Sequence, residues 1–357
     1  MDAGLEKVVA AETVMSDVQG AEGRLIIRGV DVEVLARDFS FEQTAAHLWA
    51  GYFDGMPRDL APLLGVARVA AFERLKGDFS RLAALPETEA LRVALSLAPD
   101  GHDLDSAIDL AATMAVATGA IARLKSGQAP VAPEAGASHA ADLLRMIGGE
   151  RPGEIEARAL GAYLVTVCDH GLNASTFVAR CVASTRAGLG SAVIAGLSAL
   201  KGPLHGGAPG PVLDMLDGIG SAENAETWIR AALERGERLM GFGHRVYRTR
   251  DPRADVLKRV VGGLPASHGR LALAQAIEGR ILQRLAAEKP DRKLDTNVEY
   301  YTAILLEAVG APRGLFTCLF ACGRVTGWIA HAREQLSTGR LVRPASVYVG
   351  PVSALAA

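Results

Sequence analysis

Aromatic residues are scarce in this chain. Phenylalanine, tryptophan and tyrosine make up 5% of its 357 residues, although hydrophobic residues together reach 49%. That is still enough apolar material for a substantial core, in two domains or one large one. Cysteine is also sparse: Cys168, Cys181, Cys318 and Cys322 form no Cys-x-x-Cys pair and have no histidine at zinc-finger spacing. A disulfide framework and a structural metal are thereby disfavoured, and the four are expected as buried or partly buried free thiols. Long hydrophobic runs are missing too, since no stretch approaches the ~18 uninterrupted apolar residues that a membrane span needs. The N-terminus, Met1 to Glu6, lacks a basic segment followed by an apolar one, so no secretory signal is visible. Finally, 38 Lys+Arg against 40 Asp+Glu leave a formal charge of only -2, which gives no global field for nucleic acid or an anionic bilayer. The expectation is a soluble, intracellular, cytoplasmic protein with no nucleic-acid or membrane partner. Any anion recognition must be local.

What the chain has in abundance is helical period. Ser40-Phe41-Glu42-Gln43 matches a capping box, with Ala46, Leu48, Trp49 and Phe53 following at helical spacing. Helical patterns recur at roughly 57–76, 87–98, 104–125, 138–147, 154–169, 174–187, 190–200, 211–217, 222–236, 253–261, 269–288, 298–309 and 314–336, most closed by Gly, Pro or Asn. Strand signals are limited to Arg24–Gly29 and the tail Ser346–Val349, each able to form a small strand or hairpin arm. No repeat of fixed period and no long flexible linker interrupts the pattern. The sequence predicts an all-α protein with minor β-hairpin elements.

Three histidines stand on glycine-flanked turns. His205 lies in Lys201-Gly202-Pro203-Leu204-His205-Gly206-Gly207-Ala208, and His244 in Gly241-Phe242-Gly243-His244-Arg245-Val246-Tyr247-Arg248, which runs on to Asp251-Pro252-Arg253. His170 lies in Asp169-His170-Gly171-Leu172-Asn173-Ala174-Ser175, where Asn173 is placed to cap the next helix. Taken singly, His170 reads as a hydrogen-bonded histidine at a helix junction, and the His205 turn divides evenly between an ordinary turn and a ligand site. Near His244 the arginines at fixed offsets suit a substrate carboxylate and a phosphate held by one segment. Histidines that polarise carbonyl oxygens beside arginines that hold carboxylates point to an enzyme.

Together these motifs, with Arg340-Leu341-Val342-Arg343-Pro344 and the N-terminal Gly23–Asp31, resemble the citrate synthase family in order and spacing across essentially the whole chain, most closely the short bacterial citrate and 2-methylcitrate synthases. The resemblance implies a two-domain helical fold, with residues 1–206 and 311–357 in a large domain and 207–310 in a small one that closes on it. It implies that His205 stabilises the enol of acetyl-CoA, and that His244 polarises the ketone of oxaloacetate. His170, Arg253 and Arg324 match oxaloacetate ligands, while Arg343 matches an arginine that reaches the site from the other subunit of a homodimer. Arg248 matches a coenzyme A phosphate ligand, and Lys293 is a weaker match. No metal and no permanently bound cofactor is implied, only acetyl-CoA or another acyl-CoA as cosubstrate with oxaloacetate, in the reaction that feeds the tricarboxylic acid cycle.

One position departs from the family pattern. Where Asn-Val-Asp is usual, the chain reads Asn297-Val298-Glu299. Glutamate keeps the carboxylate base but carries it one methylene further out, and small misplacements of such a group can cost about 10²-fold. Glu299 can also be read as a solvated charge in a helix first turn. Three functions follow: a citrate synthase, a 2-methylcitrate synthase or related enzyme using propionyl-CoA or another acyl-CoA, and a non-catalytic binding or regulatory paralogue.

Overall fold

The computed structural model describes residues 4–5, 8–206, 209–265, 268–288 and 294–351. The chain opens on a small antiparallel sheet of β1 (Ser16–Gln19), β2 (Arg24–Ile27) and β3 (Val30–Asp31), in that spatial order, with Ser16 opposite Ile27 and Ile26 opposite Asp31. Asp31 caps α1 (Val32–Asp38) by accepting from Glu33 N. The Ser40/Gln43 capping box forms as the sequence predicts and starts α2 (Phe41–Trp49). Then follow α3 (Ala61–Leu75), α4 (Phe79–Ala84), α5 (Glu87–Ser96), α6 (Leu104–Lys125), α7 (His139–Gly148), α8 (Glu154–Thr166), α9 (Ala174–Ala183) and α10 (Leu189–Leu200). The remaining helices are α11 (Pro209–Ile219), α12 (Ala225–Glu234), α13 (Pro252–Gly262), α14 (His268–Glu288), α15 (Val298–Ala308) and α16 (Phe316–Thr338).

Two helices organise the core. α6 is long and apolar enough to cross a membrane by length and composition, but most of it is buried within the protein, packed against α3, α5, α7 and α16. α16 in turn packs on α2, α6, α8, α9 and α10. Small residues let these helices approach closely. A Cβ at Gly327 would lie 2.2 Å from Cys168 O, so only glycine lets α16 pass so near the segment that follows α8. This approach sets Arg324, one turn earlier on α16, beneath that segment, where its Nε donates to Val167 O at 2.7 Å.

Helices α11–α15 pack mainly on one another, through α13 with α15, α11 with α15 and α12 with α14. They meet the rest of the molecule where α13 and α15 lie on α8, where α13 touches α1 and where α11 touches α16. Buried apolar side chains form one continuous cluster from Met15 to Ala332.

The structure differs from the sequence expectation at the tail, at several helix ends and in its shortest elements. Ser346–Val349 is not a strand. Val347, Tyr348 and Val349 are exposed, and β-propensity without a neighbouring strand to complete the ladder yields no sheet. Helix ends also shift: α3 starts at Ala61 rather than 57, α8 stops at Thr166 rather than 169, and α9 stops at Ala183 rather than 187. α1, α4 and β1 are additions to the expected elements, each too short to display a period.

Candidate active site

The site is assembled from four chain segments. The first is the turn between α8 and α9. Asn173 caps α9, its Oδ1 accepting from Thr176 N at 3.2 Å, as the sequence predicts. This leaves His170 buried at the turn, with Nε2 3.1 Å from the Tyr247 hydroxyl. Behind it, Asp169 Oδ2 accepts from Ser16 Oγ at 2.5 Å and lies 3.3 Å from His331 Nε2. Burial, with Arg253 and His244 next, holds the His170 imidazole well below its ordinary pKa, so it is neutral.

The second segment follows α10, where His205 N donates to Gly202 O and Gly206 N to Leu200 O, both at 2.9 Å. That turn lays the His205 ring on the N-terminus of α9. Ser175 N donates to Nε2 at 3.3 Å, and Ser175 Oγ lies 2.9 Å away. Nε2 is therefore the acceptor, and Nδ1 is the nitrogen left to donate to a ligand. Burial first, then Arg324, pushes its pKa down to about 4, and the positive end of α9 acts in the same direction.

The third and fourth segments form one unit. Gly241 has φ +86° and a Cβ there would meet Tyr300 Cβ at 2.9 Å, so the loop can only be this tight with glycine. Gly243 N donates to Asp295 O, Asn297 N to Gly241 O and Asn297 Nδ2 to Gly243 O, at 2.8–2.9 Å. The loop carrying His244 is thus tied to the start of α15. His244 Nδ1 accepts from Val246 N and Tyr247 N, both at 3.0 Å, which places the proton on Nε2. That Nε2 lies 3.4 Å from Arg253 Nη2, so two donors converge where a carbonyl or carboxylate oxygen would fit. Burial, with Arg253 next, lowers the His244 pKa to about 4.

Arg253 is buried and held by Asp251 in a fork, Nε to Oδ1 at 3.0 Å and Nη2 to Oδ2 at 2.9 Å. The same Asp251 Oδ2 accepts from Val298 N at 3.0 Å, joining the arginine to the α15 N-terminus. Glu299 follows, its N–H capped by Asn297 Oδ1 at 3.0 Å. Its Oε2 is buried without a hydrogen-bond partner among the described residues. Burial raises its pKa to about 7, against the pull of Arg253 and Arg324 and with a push from Asp251. Arg324 is buried, and among the described residues only its Nε donates a hydrogen bond. Burial lowers its pKa to about 10, leaving a cation at neutral pH with no carboxylate in contact among the described residues.

His170, His205, His244, Arg253, Arg324 and Glu299 therefore gather at one site: the His170 and His244 rings lie 5.4 Å apart, His244 meets Arg253, and Arg324 acts on both His205 and Glu299. Arg248 lies exposed at its rim, its N–H donating to Gly20 O at 2.9 Å. Arg343 is exposed on the extended tail and does not enter this chain's cleft. Lys293 lies outside the described residues. Three residues that sequence reasoning leaves without a role also belong here: Asp251, Ser175 and Tyr247. Asp251 carries a signal, an aspartate just before a helix-starting proline, but only the fold reveals that it bridges two helix starts. No group of three or more His, Cys, Asp or Glu among the described residues is placed to hold a metal ion.

The family model for the citrate synthase C-terminal domain matches residues 4–345. The chain belongs to the citrate synthase family. It is 38% identical to a putative citrate synthase 2 of Mycobacterium tuberculosis, over 98% of this chain and 92% of the relative. It is 36% identical to a 2-methylcitrate synthase of the same species, over 97% and 90%. Among solved structures it matches citrate synthase of Thermoplasma acidophilum in ternary complex with carboxymethyl coenzyme A and oxaloacetate, with a TM-score of 0.89 and 27% identity over 99% of this chain and 97% of that one. Members of this family are acyltransferases that condense an acyl-CoA with a keto acid, and the all-α fold is the family's.

Proposed function

We propose that this enzyme condenses acetyl-CoA with oxaloacetate and water to give citrate and free coenzyme A. The observation that carries the proposal is that two neutral histidines, each held by backbone N–H donors, and a buried carboxyl with its pKa raised to about 7 gather around Arg253 and Arg324. In the proposed reaction Arg253, Arg324 and His170 hold the carboxylates of oxaloacetate, and His244 Nε2–H donates to its ketone oxygen. Glu299 removes an α-proton from the acyl group while His205 Nδ1–H donates to the thioester oxygen, so the enol forms without a free enolate. The enol carbon then bonds to the ketone carbon, and the resulting thioester is hydrolysed to release the thiol.

Arg248, at the rim, is assigned to a coenzyme A phosphate. The weaker assignment of Lys293 to the same ligand rests on the sequence alone. Arg343 is assigned to the neighbouring site of a homodimer, a reading supported by its exposure on a tail that its own cleft does not use. Closure of residues 207–310 on the remainder is proposed to exclude water, because the groups that meet in the cleft come from both parts. The second reading, a 2-methylcitrate synthase using propionyl-CoA, is favoured by the relative of that name.

Thiol release measured with oxaloacetate and either acetyl-CoA or propionyl-CoA separates the two. A higher kcat/KM with acetyl-CoA is expected, and the reverse order would replace the first reading with the second. Binding of both substrates without thiol release would leave a non-catalytic paralogue.

A further inference from the structure

Two buried polar atoms, one beside the substrate arginines and one on α8, have no hydrogen-bond partner among the described residues, and they are complementary. One is Glu299 Oε2, an acceptor; the other is the hydroxyl of Tyr163, a donor on α8 whose side chain is fully buried. α8 packs against both α15, which carries Glu299, and α16, which carries Arg324 and Cys322. The charged and titratable groups that act on the Tyr163 phenol are Glu299, Cys322 and Arg324, and those that act on Glu299 are Arg253, Asp251 and Arg324. A buried donor or acceptor left unpaired bears its full desolvation cost with nothing to offset it, so two neighbouring orphans of opposite kind are a site waiting to be completed. Glutamate also has one more side-chain torsion than aspartate and needs a contact to fix it, since proton abstraction depends on the orientation of the base.

We propose that Tyr163 is the positioning residue for the base, its hydroxyl donating to Glu299 Oε2, directly or through one water, when α15 closes on α8 around the substrates. The inference rests on the assignment of Glu299 as base. Tyr163 would then be what lets this chain use the longer carboxylate: the phenol holds Oε2 and leaves Oε1 to face the acyl α-carbon. Aspartate, one methylene shorter, would not reach it.

The test is a double-mutant cycle on the full-length enzyme with its two substrates. Tyr163→Phe removes only the unpartnered hydroxyl and is expected to fold with an unchanged or higher melting temperature. It should lower kcat roughly 10-fold, the scale of one hydrogen bond to a charged group, with the KM for oxaloacetate unchanged. The acidic limb of its kcat profile, which reports the closed complex, should move up by about one pH unit, because the lost bond favoured the ionised carboxylate. Incorporation of 3-fluorotyrosine at position 163 makes the hydroxyl a stronger donor and should move that limb down. In a Glu299→Asp background, Tyr163→Phe should have no further effect. A Tyr163→Phe enzyme with wild-type kcat and pH profile would overturn the inference, and so would an equal loss when the same change is made in the Glu299→Asp enzyme. Should Tyr163→Phe unfold, the 3-fluorotyrosine protein decides alone, an unmoved limb counting against the inference. Failure of the base assignment looks different: Glu299→Gln would then retain turnover whatever residue stands at 163.

Discussion

His205 and His244 have the same side chain and the same depressed pKa, yet different nitrogens are left to donate. Ser175 N–H occupies Nε2 of His205, while Val246 N–H and Tyr247 N–H occupy Nδ1 of His244. Backbone donors cannot be deprotonated or rotated away, so each ring presents a neutral N–H to the cleft. His205→Ala and His244→Ala are each expected to lower kcat by at least about 10²-fold, the scale for removing a positioned electrophile; steady-state kinetics checks this. Glu299, with its pKa near 7, must be ionised to accept a proton. Activity is therefore expected to rise with pH through about 7, while both histidines, titrating near 4, stay neutral across that range. The measurement is solvent-deuterium exchange into the acyl α-position as a function of pH. Loss of exchange in Glu299→Gln with unchanged oxaloacetate binding is the companion result.

At the scale of elements, the site depends on how closely α16 passes the end of α8 and how firmly α13 is joined to α15. Gly327 governs the first. Alanine there would place a methyl group 2.2 Å from Cys168 O, so α16 must shift and carry Arg324 with it. Gly327→Ala is expected to cost about 1–3 kcal/mol of stability through overpacking, read by denaturant unfolding, and to raise the KM for oxaloacetate. Asp251 governs the second, because one carboxylate holds both Arg253 and Val298 N. Sequence patterns locate nearly all of these helices but cannot show that two helix starts share one aspartate, since that requires residues 47 positions apart to be adjacent.

For the whole molecule, burial of neutral histidines links stability to acidity. His205 and His244 titrate near 4 in the fold against 6.5 as the ordinary value. His170 and His139 are also held well below it, and neither ring nitrogen of His139 has a hydrogen-bond partner among the described residues. Below about pH 6.5 the unfolded chain takes up protons that the fold refuses, so this contribution is complete above 6.5 and is lost as the pH falls toward 4. Glu299 acts in the opposite sense: its raised pKa stabilises the fold below 4.5, and that contribution is lost as the pH rises through 7. One carboxyl against four histidines leaves a net expectation of falling stability from about pH 7 to about pH 5, which urea unfolding at fixed pH values measures. The proposed homodimer has its own test. An Arg343→Ala chain mixed with a His205→Ala chain should regain activity in verified heterodimers, because one of their two shared sites is intact. No recovery would remove Arg343 from the partner's site.

The sequence alone determined the helical class, most helix positions and three histidine turns, while its resemblance to a known family singled out the six residues that meet in the site. Those features are written in local period, capping and glycine-flanked motifs, which neighbouring residues decide among themselves. Only the tertiary structure decided what those six are chemically. The pKa near 7 of Glu299 comes from burial among groups on α8, α13 and α16, and the donor nitrogens of His205 and His244 are chosen by backbone amides. The tail at 346–349 shows the same division from the other side. Its β-propensity was legible, but a strand requires a partner edge, and no residue carries that information by itself.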